Sequence, residues 1–196
     1  GLCMLDAIVR IETGGVNWRR ISILSAAATG AMLTHYFAIP LTGALAVYIV
    51  VRWRGTARRN GILALAGATI LYAGIWGPFM LNQRVNVGPG EQGFLFEGLW
   101  SRWYAAKQLA ALPSKLLGPP VAKSIAAAWP AAVIYFLPLL LVRKNRFLLL
   151  WLFWLLGTAF VLGMFDQVRA SHHLSFTRYL VLCGPGFYLI FAGLLV

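Results

Sequence analysis

Acidic residues are scarce in this chain: five Asp and Glu stand against 17 Lys and Arg, a formal net charge of +12 in 196 residues. Two cysteines, with no metal-ligand spacing between them, exclude a disulfide framework and a zinc ribbon; both are expected to be small buried residues. There is no glycine-rich phosphate loop, HExxH, CxxC or G-x-S-x-G. Neither a nucleotide-binding module nor a hydrolase of those types is encoded, and no cofactor or metal is expected. The carboxylates Asp6, Glu12, Glu91, Glu97 and Asp166 are unpaired in sequence, so no catalytic acid–base couple can be named.

Hydrophobic residues, in contrast, make up 60% of the chain and charged ones 11%, with a mean hydropathy of +0.76. Crossing a hydrocarbon core of about 30 Å takes about 20 helical residues. Uncharged runs approaching that length predict spans at about 61–82, 124–142, 147–165 and 179–196. No alternation of the outer-membrane barrel kind appears. The predicted fold class is all-α, a polytopic transmembrane helical bundle. The start at Gly1 and the stop inside an apolar run lead us to expect a fragment of a longer protein, with 1–196 a single transmembrane domain.

The surplus of positive charge is placed in a telling way. Arg19, Arg20, Arg52, Arg54, Arg58, Arg59, Arg143, Lys144 and Arg146 crowd into three short stretches between apolar runs. This is the positive-inside pattern, which sets orientation and argues against a nucleic-acid partner. It predicts a multi-pass membrane protein whose opposite face is periplasmic in a bacterium or lumenal in a eukaryote, and the expected location is the plasma (inner) membrane.

Between Ile21 and Val51 lie 31 residues without Lys, Arg, Asp or Glu, bounded by arginines at both ends. Both ends are expected on one side, so the run is predicted to be a short helical hairpin, 21–51. Its tip falls at Thr34-His35-Tyr36, and Pro40 stands where the descending helix starts and a missing N–H costs little. Each arm of about 15 residues rises only about 22 Å. His35 and Tyr36 are thereby held deep, where polar groups need partners or water.

The outer loop, 84–123, opens with the turn Gly88-Pro89-Gly90 and continues as FLFEGLWSRWYAAKQLAAL from Phe94 to Leu112. Leu95, Phe96, Leu99, Trp100 and Trp103 share one face of a helical wheel, with Glu97, Ser101 and Gln108 opposite. An interfacial amphipathic helix is expected there. The segment DQVRASHHLSFTRY, residues 166–179, gathers His172, His173, Arg178 and Tyr179 at an outer-facing span end. Arg178 offers a planar fork of donors suited to phosphate. Gly184-Pro185-Gly186, just inside the last span, is expected to allow close helix packing.

The stretches WRRISILSAAATGAMLTHYFAIPLTGALAVYIVVRWR and TRYLVLCGPGFYLIFAGLLV resemble polytopic GT-C glycosyltransferases of the protein-mannosyltransferase and aminoarabinose-transferase type, similar to glycosyltransferase family 39. The resemblance implies an inverting enzyme moving a sugar from a polyprenyl-phosphate donor to a lipid, protein or glycan acceptor at the outer membrane face. It implies a base in a first outer loop that would precede Gly1, so no catalytic residue is carried over. Relatives often hold Lys at the tip where this chain has His35. Substrate-binding residues would be His35, Tyr36, His172, His173, Arg178 and Tyr179, with the sugar lipid and membrane lipids as partners. The alternative is a non-catalytic lipid-linked-sugar flippase or transporter.

Overall fold

The structure, a computed structural model, describes residues 1–35, 38–86, 108, 110–112, 115–116, 128–141, 145, 147–169 and 183–195. All regular structure among them is helical. The chain divides into two compact units, Gly1–Phe94 and Leu95–Val196.

The first unit contains α1 (Leu2–Gly14), α2 (Trp18–Thr34), α3 (Ala38–Arg52) and α4 (Gly55–Asn86). An Asp6–Arg10 pair at 2.7 Å, one turn apart, lies along α1. The helix stops at Gly14, and Gly15 takes φ 78°, a left-handed conformation that favours glycine. Asn17 then caps α2, its Oδ1 accepting from the Arg20 N–H at 2.9 Å. A second left-handed glycine, Gly55 at φ 54°, separates α3 from α4.

Helical spacing decides what is buried. Met4, Ile8 and Ile11 of α1 are buried, as are Leu24, Ala28 and Met32 of α2, which recur every fourth residue. The core continues through Leu41, Leu45, Tyr48 and Ile49 of α3 and Leu65, Ala68 and Tyr72 of α4. Gly61 makes room for an indole: a Cβ there would lie 2.6 Å from the Trp53 ring. Cys3 corrects a sequence expectation. It is exposed, because the buried face of α1 runs through Met4, Leu5, Ala7, Ile8 and Ile11 and leaves position 3 outside.

In the second unit, α5 (Ala128–Leu141) precedes α6 (Phe147–Leu152), a π-helical turn (Phe153–Gly157) and α7 (Thr158–Arg169). The helix α8 (Gly184–Leu195) packs on α6 and on the π turn. Gly186 permits this, since a Cβ at that position would come within 2.9 Å of the Leu155 N and the Trp151 O. Gly193, two turns on, presents its bare backbone to the Trp151 ring. Leu148, Leu152, Trp154, Leu155, Ala159, Leu162, Cys183, Phe187 and Ile190 are buried in this unit.

Two helical stretches, Gly55–Phe79 and Phe147–Met164, are long and apolar enough to cross a membrane by length and composition. The first is mostly uncovered by the rest of its unit. Leu63, Ile70, Leu71, Ile75, Trp76 and Phe79 are exposed, Ile70 by 72%. An apolar face of that extent is unfavourable in water and fits association with a membrane. Ala38–Arg52 is apolar but shorter.

Candidate functional site

His35 ends α2. Its backbone is extended (φ −157°, ψ 117°), with its N–H donating to the Ala31 O at 3.0 Å and its C=O accepting from the Ala38 N–H at 2.8 Å. Thr34 Oγ1 donates to the same Ala31 O at 2.9 Å. These bonds stop one helix and start the next within a few residues, and Pro40 occupies the first turn of α3. The break in the helices thus brackets the residues on which the sequence reading places a tip. His35 is exposed there.

Five of the six sequence-designated site residues, Tyr36, His172, His173, Arg178 and Tyr179, lie outside the described residues. So does most of the expected interfacial helix. Near its end, the Lys115 ammonium donates to the Gln108 side-chain oxygen. Burial holds that ammonium below the usual lysine range. Tyr188 of α8 donates to the Leu116 O at 3.3 Å, fastening this segment to α8.

A cluster not foreseen from sequence lies where α1 meets the end of α3. Glu12 Oε1 accepts from the Tyr48 hydroxyl at 2.5 Å and from the Trp53 indole Nε1–H at 2.9 Å. Tyr48 is fully buried and Trp53 nearly so. Glu12 Oε2 is buried without a hydrogen-bond partner in this structure. The cluster ties α1 to the α3–α4 corner. In the sequence Tyr48 and Trp53 are two of many aromatics, and Glu12 is one of five unpaired carboxylates. No local pattern joins residues 36 and 41 positions apart. Only the register of Tyr48 with Leu41 and Leu45, on one face of α3, signals its burial.

Electrostatically, the two ends of this unit differ. Arg19, Arg20, Arg52, Arg54, Arg58 and Arg59 gather at the Glu12 end, and His35 stands at the far end of α2, a 17-residue helix away. Among the described residues no group of three or more His, Cys, Asp or Glu side chains could hold a metal. No family model, curated protein or solved structure matches the chain.

Proposed function

We propose that the chain is the membrane-embedded part of a multi-pass glycosyltransferase of the plasma (inner) membrane. In this reading it transfers a sugar from a polyprenyl-phosphate donor to a lipid, protein or glycan acceptor at the outer face. The observation that carries it is the helix break at His35, opposite an arginine-rich end, within an otherwise uncharged run. Oriented by the positive-inside rule, the arginines lie in the cytoplasm and His35 faces the outer side from below the head groups. The exposed apolar faces of α3 and α4 suit a polytopic bundle and a long polyprenyl tail.

Chemistry follows from charge. A leaving polyprenyl phosphate gains negative charge as the glycosidic bond breaks, and fixed cations at phosphate depth lower that barrier. The side chains that the sequence assigns to the donor are His35, Tyr36, His172, His173, Arg178 and Tyr179, and Arg178 carries the phosphate role. Arg178→Ala is expected to reduce donor use about 10- to 150-fold, as lost charge-assisted hydrogen bonds imply. Arg178→Lys should keep part of it, and Arg146→Ala should change little. Transfer of labelled sugar from a polyprenyl-phosphate donor, in membranes with equal amounts of each variant, measures this. Full activity of Arg178→Ala refutes the phosphate role. Movement of the donor between leaflets with no transfer product would instead identify a flippase.

A further inference from the structure

The arginine-rich end of the first unit is more than an orientation signal. Glu12, through Tyr48 and Trp53, fixes the end of α3 beside the end of α1, and Arg20 Nη1 donates to the Gly15 O at 2.5 Å. Arg58 is similarly anchored, on the Val50 O at 3.5 Å. Arg19, Arg52, Arg54 and Arg59 are exposed. Among the described residues Arg10–Asp6 is the one ion pair. Glu12 Oε1 accepts from two neutral donors, and among the described residues none of the six arginines forms an ion pair with a carboxylate.

Directly beneath this charge the surface turns apolar. Ile23 follows Arg19 by four residues, Val50 and Val51 precede Arg52, and Leu63 follows Arg59 by four. All four apolar side chains are exposed. Four helical residues rise about 6 Å, the step from a phosphate layer to the first acyl carbons. Trp18, 74% exposed, lies under the Arg19 guanidinium, 5.8 Å from its ring centroid, as an interfacial anchor would.

We propose that this end of the unit is a binding surface for the headgroups of anionic phospholipids. It rests on the membrane placement proposed above and is independent of sugar transfer. Arginine forks hold the phosphodiester bidentately, and the exposed aliphatic side chains cover the upper acyl chains. A nucleic acid would satisfy the arginines and leave Ile23, Val50, Val51 and Leu63 in water. Lipid covers both.

The test uses the protein extracted in a neutral detergent from vesicles of equal phosphatidylglycerol and phosphatidylcholine, with retained lipids counted by native mass spectrometry. Phosphatidylglycerol should be enriched on the wild type. Replacing exposed Arg19, Arg54 and Arg59 together by Gln should lower that enrichment at least about ten-fold, each arginine near a charged surface being worth roughly a factor of five. The corresponding triple Lys variant should retain part of it, and Arg10→Gln should not alter it. Raising salt from about 0.05 to about 0.5 M should weaken it. Equal retention of the two lipids by the wild type, or unchanged enrichment in the Gln variant, overturns the proposal. So does an oligonucleotide binding the wild type more tightly than phosphatidylglycerol nanodiscs at the same salt. Recovery of wild type without detergent and free of lipid would overturn it together with the membrane reading.

Discussion

Replacing Glu12 by alanine removes the acceptor for two hydrogen bonds at once, at 2.5 Å from the Tyr48 hydroxyl and 2.9 Å from the Trp53 indole. Hydrogen bonds to a charged group each contribute about 1.5–3 kcal/mol. Tyr48 has no exposed surface, so its hydroxyl would lose its carboxylate partner with little water to replace it. Part of that loss is recovered because Glu12 is itself half-buried and its Oε2 is already without a partner. A net destabilisation of about 2–4 kcal/mol is expected. Glu12→Gln keeps an acceptor oxygen and should cost about 1 kcal/mol. Tyr48→Phe deletes the donor while preserving the ring and should cost about 1–2 kcal/mol. The decisive quantity is the coupling in the Glu12→Ala, Tyr48→Phe cycle, expected at about 1–2 kcal/mol. Unfolding by sodium dodecyl sulfate from mixed micelles, followed by far-ultraviolet circular dichroism, gives all four stabilities. Coupling below about 0.5 kcal/mol, the range of independent sites, would mean that this contact does not brace the unit.

Gly186→Ala should destabilise by about 1–3 kcal/mol, because its methyl meets the backbone of Trp151 and Leu155 rather than a flexible side chain. Gly67→Ala, in open space on α4, should be neutral or stabilising by up to about 1 kcal/mol; the same unfolding assay compares them, and equal effects would refute the close-approach account. Lys115 supplies a pH test. Burial lowers its folded-state pKa, so the unfolded chain binds more protons and stability should rise with pH from the depressed value to the usual lysine range. Lys115→Met should lack that rise, and parallel stability–pH curves for wild type and variant would contradict it. In a Cys3→Ser background, cysteines at Trp18 and Thr56 should react with an impermeant thiol reagent from the same membrane side, and labelling from opposite sides would overturn the proposed orientation.

Much of the local structure was legible because its causes lie within a few residues along the chain. The uncharged run from Ile21 to Val51, the proline at 40 and the arginines at its borders specify helices on either side of His35. Apolar length alone marks Gly55–Phe79 and Phe147–Met164. Asn17 caps α2 and Gly15 and Gly55 take left-handed conformations, each a local effect of residue type. The glycine at 186, read from sequence as a packing residue, stands where α8 meets the backbone of α6 and its π turn.

What the sequence by itself determined, then, is whatever depends on composition and period: the helical class, the apolar stretches and the clustering of arginines. Tertiary structure alone decided that Glu12 turns to Tyr48 and Trp53, 36 and 41 residues away. It also decided that Cys3 is exposed while Cys183 is buried, although both adjoin apolar residues. The physical reason is that a hydrogen bond or a buried face is specified by which helix faces meet. Those meetings follow from the joint packing of the helices within each unit, and no window of neighbouring residues contains them.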